Sequence, residues 1–263
     1  MPTKREDGAF DRDLVGRLQR ALTAGTDELF QSLQDPAPEV LRAALKNRQL
    51  REDHLQALLR RRDLPEDLLK AIYQRPEAEN SHRLQLALAK NPNTPGAIVL
   101  SILPRLFIFE LLNLCLLAGA TPDQKYAAER EIIKRLPTVP LGNKMTLARR
   151  GTGNLVAEIL KEGDAPLVAI CLDSPHLQEI ALVQFLTGPK ATAETISSLA
   201  RHPKWKSRAN LRLAILKNPR TPDIWYTLFL PQLRTIDLNA LLGSRRLRPA
   251  QKALVAEALK KRG

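Results

Sequence analysis

One segment occurs twice in this chain with little change: Leu84 to Pro95 reads LQLALAKNPNTP and Leu211 to Pro222 reads LRLAILKNPRTP, 127 positions apart. An internal repeat constrains a fold strongly, because each copy must solve the same packing problem. The register extends far beyond the segment itself. Downstream, Leu103-Pro104 falls on Leu230-Pro231, Pro122 on Pro249 and Gln124-Lys125 on Gln251-Lys252; upstream, Leu45 falls on Leu172, Leu55 on Leu182 and Pro76 on Pro203. The chain therefore reads as two tandem homologous halves, residues 10–136 and 137–263, in one continuous array after a short N-terminal tail, residues 1–9.

The repeated Lys-Asn-Pro-x-Thr-Pro is a helix stop followed at once by a start. Lys90 suits the negative end of a helix dipole. Asn91 precedes a proline and is pushed out of the α region, and Pro92 cannot continue a helix. Thr94 is then expected to cap the next helix, with Pro95 in its first turn. Similar punctuation stands at Asp35-Pro36 with Pro38, at Pro65, Thr121-Pro122, Gly163-Asp164-Ala165-Pro166, Thr192 and Pro249. The intervals from Pro38 to Pro65, Pro95 and Pro122 are 27, 30 and 27 residues, each with room for two short helices and a turn. Apolar residues make up 44% of the chain, but Val, Ile and Thr never form the alternating runs of a half-buried strand. The expected class is all-α: an α-solenoid of short helical hairpins, about nine helices per half, in which no hairpin buries its apolar face without its neighbours. Leu177 to Leu186, apolar nearly all round, is expected to lie deepest in the second half, whereas Leu50 to Leu59 keeps a polar face.

The Asn-Pro-x-Thr-Pro signature at Asn91 to Pro95 and Asn218 to Pro222, following Leu- and Ala-rich helices, resembles the leucine-rich repeat variant and the wider group of HEAT-like helical repeats. That resemblance implies a solenoid acting as an interaction surface. Leucine-rich repeat variant proteins can carry a cysteine cluster for an iron-sulfur centre; this sequence lacks the cluster, so no cofactor is carried over. HEAT-like folds also include DNA glycosylases that use Trp, Tyr and a carboxylate, which invites comparison with Trp205, Asp223, Trp225 and Tyr226. Asp223, however, follows Pro222 in a helix first turn, where an acid is expected for dipole reasons alone. Trp225 falls opposite Ile98 and reads as a packing position.

Little else points to catalysis. Cys115 and Cys171 lie 56 positions apart inside apolar segments, which fits buried, reduced thiols rather than a disulfide framework or metal ligands. His54, His82, His176 and His202 share no metal-ligand spacing with one another or with a cysteine. His202 is expected to partner a helix C-terminus. Arg149 to Asn154, RRGTGN, has the look of a phosphate loop but lacks the Walker lysine and a preceding strand, and reads as an interhelical turn. No acid/base pair and no small-molecule site emerge, so neither metal nor cofactor is expected and the chain is expected not to be an enzyme.

Charge is the one functional signal. The chain carries 41 Lys and Arg against 28 Asp and Glu, a formal +13. Residues 1–136 hold 21 basic and 19 acidic side chains, and residues 137–263 hold 20 and 9, a formal +2 against +11. The densest stretch contains Arg201, Lys204, Lys206, Arg208, Arg212, Lys217 and Arg220 without an acid, and encloses Trp205. These eight residues are the candidate partner-binding site. Trp205 is either a stackable face beside point charges or an anchor onto the neighbouring hairpin. Further basic groups are Arg60-Arg61-Arg62, Arg245-Arg246 with Arg248, and Lys260-Lys261-Arg262. The expected partner is an acidic protein surface, with sequence-nonspecific nucleic acid as the alternative and a glycosylase as a remoter one. The N-terminus has no apolar signal region, and Pro104, Arg105, Glu110 and Asn113 interrupt the apolar stretch from Ala97 to Ala120. A cytoplasmic location without a membrane span is the expectation.

Overall fold

Proline and asparagine cut this chain into helices too short to stand alone, so their stability has to come from packing. A computed structural model of the chain describes residues 12–261; the expected tail at 1–9 and Arg262 lie outside the described residues. Among the described residues are nineteen α-helices, three 3₁₀ turns and no strand. The chain divides into two compact units, Met1–Ile132 and Ile133–Gly263.

Ten helices begin in the first unit: α1 (Arg12–Thr23), α2 (Thr26–Ser32), α3 (Pro38–Leu45), α4 (Glu52–Leu59), α5 (Glu66–Tyr73), α6 (Pro76–Asn80), α7 (His82–Lys90), α8 (Gly96–Ile102), α9 (Ile108–Leu116) and α10 (Pro122–Arg135). The second unit holds α11 (Leu141–Arg150), α12 (Gly153–Leu160), α13 (Ala165–Asp173), α14 (Glu179–Thr187), α15 (Ala193–Arg201), α16 (Ala209–Leu216), α17 (Asp223–Phe229), α18 (Thr235–Leu242) and α19 (Pro249–Lys260). Many starts fall where the punctuation puts them. Pro38, Pro122 and Pro249 open α3, α10 and α19, and Pro65 precedes α5. Asp164 and Thr192 accept hydrogen bonds from the backbones of Leu167 and Thr195. Gly163 turns the chain at φ +73°, and a Cβ there would lie 2.6 Å from the Lys190 carbonyl oxygen, so only glycine fits.

Within each unit helices pack mostly on the helix next or two places along in the chain, and α4 reaches three places, past α6, to α7. In the first, α1 meets α3, α3 meets α5, α2 meets α4, and α4 and α9 both meet α7; in the second, α11 meets α13, α13 meets α15, α12 meets α14 and α14 meets α16. Leucines fill the space between these rows, with Leu55, Leu58, Leu68, Leu84 and Leu88 in one unit and Leu155, Leu182, Leu211 and Leu238 in the other fully buried. Each stabilises its unit by about 2 kcal/mol relative to exposure. Cys115 and Cys171 are buried free thiols, pushed up to about 12 chiefly by desolvation. The Ala97–Ala120 stretch forms α8 and α9, and no helix among the described residues is long and apolar enough to cross a membrane.

Buried amides tie one hairpin to the previous one. Asn91 Nδ2 donates to the Leu59 and Arg61 carbonyls, and its Oδ1 accepts from the Asn93 backbone. Asn218 Nδ2 donates to the Leu186 carbonyl, and its Oδ1 accepts from the Arg220 backbone. Asn93 donates to the Arg62 and Leu64 carbonyls, and Arg220 donates to those of Pro189 and Ala191. Every corresponding donor and acceptor is 127 positions from its counterpart. These bonds satisfy carbonyls that helix ends leave open.

Three local expectations need correction. Thr94 does not cap α8: Pro95 takes the N-cap position, and the Thr94 hydroxyl donates backwards to the Leu88 carbonyl at 2.7 Å. Thr221 does the same to Ile215 at 2.5 Å. Three helices rather than two lie between Pro65 and Pro95, because Pro76 starts the five-residue α6. Leu177–Leu186 is not the deepest segment. Its helix α14 packs on α12 and α16 and leaves an outer face, on which Ile180 is 59% exposed beside Gln184.

Candidate anion-contact surface

The eight basic-stretch residues do not form one patch. Arg201, Lys204, Trp205, Lys206, Arg208 and Arg212 surround the hydrogen-bonded turn from α15 to α16, whereas Lys217 and Arg220 stand at the other end of α16. Trp205 offers no stacking face. It is 3% exposed, and its indole N–H donates to the Leu172 carbonyl at 2.9 Å, so the anchoring role is the one realised. An aromatic in an apolar hollow with its one donor satisfied has no reason to turn outward.

The cations around it fall into two kinds. Lys204 lies back on the molecule, with Nζ 4.4 Å from the Trp205 ring centroid and donating to the Ser174 carbonyl at 3.2 Å. Arg201 lies over Trp225, and Arg212 lies over Phe229 while its Nε donates to the Lys206 carbonyl. These three charges rest on aromatic rings and lose part of their freedom. Lys206 and Arg208 are exposed, as Arg201 and Lys204 are, but neither lies over a ring among the described residues.

Arg208 stands where local physics disfavours it. It is the N-cap of α16, with no side-chain cap and no acid in the first turn, so a cation meets the positive end of the dipole. The residue 127 positions earlier is Ser81, whose hydroxyl accepts from the Leu84 backbone and caps α7. Exchanging a serine cap for an uncapped residue costs about 1 kcal/mol.

At the far end of α16 lies a cleft of about 760 Å³, whose wall carries Lys217, Arg220, Arg245 and Arg246 and no carboxylate. Arg220 partly braces the Pro189 and Ala191 carbonyls. Arg245 and Arg246 lie outside the densest basic stretch of sequence, and only the packing of α16 and α18 brings them beside Lys217 and Arg220. The register points to them: residues 244–246 fall on 117–119, beside the end of α9.

The other candidates do not converge. Asp223 is an exposed first-turn acid 3.5 Å from Arg248; Trp225 is buried and donates to Ser197 Oγ at 3.0 Å. Tyr226 is fully buried, donates to the Leu216 carbonyl at 2.6 Å and is pushed well above the usual phenol range by desolvation. Arg150 ends α11 and Thr152 caps α12, as an interhelical turn requires. His202 is the C-cap of α15 and pairs with Asp173 at 3.0 Å; His82 pairs with Glu110 at 2.8 Å; His54 is buried between Thr26 and Arg51. Among the described residues no three His, Cys, Asp or Glu side chains come together as metal ligands would. Comparison with protein-family models, with curated proteins and with solved structures returned no match.

Proposed function

We propose that this chain is a non-enzymatic helical-repeat scaffold, two homologous copies of one α-solenoid in tandem, whose basic second half contacts an acidic protein surface. The shared hydrogen bonds at a constant offset of 127 support the two-copy reading. The observation that carries the functional reading is Arg208. An exposed cation held at the wrong end of a helix, where the other half has a serine cap, gives up local stability, and local conflict of that kind marks functional positions. Lys206 and Arg208 supply the exposed charge, while Lys204, Arg201 and Arg212, laid on aromatic rings, orient the ridge around them.

Burial of Trp205 favours protein over single-stranded nucleic acid, because the basic turn then lacks a stacking platform. The test is capture from native lysate with and without nuclease, using the wild-type chain and Lys206→Glu with Arg208→Glu. The expected result is a partner that survives nuclease and is lost in the variant. Capture that disappears with nuclease, or affinity for random duplex falling with a log-log salt slope of about −0.9 per phosphate contacted, would assign the surface to nucleic acid instead.

A further inference from the structure

The first unit is nearly neutral overall, yet it contains a cleft as one-sidedly basic as that of the second. The cleft encloses about 440 Å³ over Asn91-Pro92, and its wall carries Arg60, Arg62, Arg83 and Lys90 with no carboxylate. Among the described residues none of these four side chains is held in an ion pair. It lies where α4, α7 and α9 end, the position that α14, α16 and α18 define for the cleft of the second unit. Helix C-termini explain some positive charge, since each presents roughly −0.5 of an elementary charge. Four full charges exceed what three such ends neutralise.

The two clefts reach the same charge by different residues. Only Lys90 and Lys217 correspond in register. Arg60, Arg62 and Arg83 fall on Thr187, Pro189 and Asn210, while Arg220, Arg245 and Arg246 fall on Asn93, Ala118 and Gly119. One exchange is reciprocal in space. The Arg62 guanidinium lies against Gly119, so closely that a Cβ there would meet its nitrogens at 2.3 Å. In the second unit the position of Arg62 is a proline, and the position of Gly119 is itself an arginine, Arg246. A guanidinium is thus supplied at this wall in both units, once from each side. Charge merely tolerated at a helix end has no reason to be restored from the opposite wall.

From this we infer that each cleft is a binding site for one phosphate-type oxyanion group, held by guanidinium forks and a lysine rather than by backbone N–H groups. Arginine forks match the geometry of a phosphate or phosphate ester, and neither cleft wall contains an aromatic ring that would read a base. The pairing of positions rests on the two-copy reading above; binding itself does not, and neither cleft includes Lys206 or Arg208.

Isothermal titration of the full chain with inorganic tripolyphosphate tests this. Two saturable sites per chain are expected at constant ionic strength. Arg60→Glu with Arg62→Glu leaves one site, Arg245→Glu with Arg246→Glu leaves the other, and the combined variant leaves none. Arg62→Gly alone weakens the first site about tenfold, the loss of one charge-assisted bond, and adding Gly119→Arg restores it. Urea midpoints measured alongside separate loss of the site from loss of the fold. Parallel titrations with inorganic phosphate and with a phosphoserine peptide distinguish a free anion from an esterified one by which binds more tightly. Absence of saturable tripolyphosphate binding, or a stoichiometry unchanged in the glutamate variants, would overturn the proposal. So would failure of Gly119→Arg to restore a site that Arg62→Gly weakens.

Discussion

The same backbone carbonyl meets different donors in the two units. Leu45 ends α3, and its carbonyl accepts from the Arg75 guanidinium at 2.7 Å; Leu172, 127 positions later, accepts from the Trp205 indole at 2.9 Å. Asn93 and Arg220 likewise serve equivalent pairs of carbonyls. What the fold demands at these points is a donor within reach, because an unpaired buried carbonyl costs as much as a lost hydrogen bond. Which residue supplies it is left open, so the second unit changes its charge here with its backbone partners still satisfied. At Ser81 and Arg208 the exchange is of another kind: a cap is removed and no other side chain takes over. Donor-for-donor replacements leave the backbone satisfied, and the uncompensated loss is the position to interrogate.

Four measurements bear on this comparison. The largest effect is expected for Trp205→Ala, which empties a buried hollow and orphans the Leu172 carbonyl, a loss of about 3–5 kcal/mol in urea unfolding. Arg75→Ala, which orphans the equivalent carbonyl without leaving an aromatic-sized void, should cost less than half as much. Equal losses would mean that the indole serves only as a donor.

Next, Asn91→Ala should cost about 2–3 kcal/mol, since it leaves two carbonyls and the Asn93 N–H without their partner. Asn218→Ala, with one such carbonyl, should lose about 1 kcal/mol less by the same measure. A reversed order would show that the two turns are not held alike.

A gain is expected from Arg208→Ser. Restoring the serine cap should raise stability by about 1 kcal/mol while weakening partner capture, whereas Ser81→Ala should lower stability by a similar amount. Destabilisation by Arg208→Ser would remove the local conflict on which the functional reading stands.

The smallest effect concerns acid. Arg75 hydrogen-bonds Glu77 and holds its carboxyl below the ordinary glutamate value. A carboxyl with a depressed folded-state pKa contributes stability that is complete above its unfolded value and is lost as pH falls through the folded one. Glu77→Gln should therefore lower stability slightly at neutral pH and not at all at the acid end of that window. In the second unit Lys204 stands at the position of Glu77, so this carboxyl has no counterpart there.

Much of the helix punctuation was legible because proline geometry and capping act within a few residues. Pro38, Pro65, Pro122, Asp164, Thr192 and Pro249 all stand at helix starts, and Trp225 is buried within its own unit, as Ile98, 127 positions earlier, is in the other. Thr94 misled because two adjacent residues, Thr94 and Pro95, are both able to open a helix, and the choice depends on the carbonyls of the preceding one. The candidate site was legible only in part: Lys206 and Arg208 project, Trp205 does not, and Lys217 with Arg220 belongs beside Arg245 and Arg246.

By itself, then, the amino-acid order determined an all-helical chain, its breakpoints, its internal register and the unequal charge of its two parts, all of which follow from local backbone sterics and from counting. Only the tertiary structure decided which polar groups are spent on the protein's own carbonyls and which are left for something else. Asn91, Arg220 and the Trp205 indole are spent inward, Arg62 rests against Gly119 from across a cleft, and the Arg208 side chain caps no helix and pairs with nothing among the described residues. Such assignments depend on carbonyls about 30 residues away in sequence and, for Arg62, on a wall 57 residues away. A linear pattern carries no record of that distance until the helices are packed.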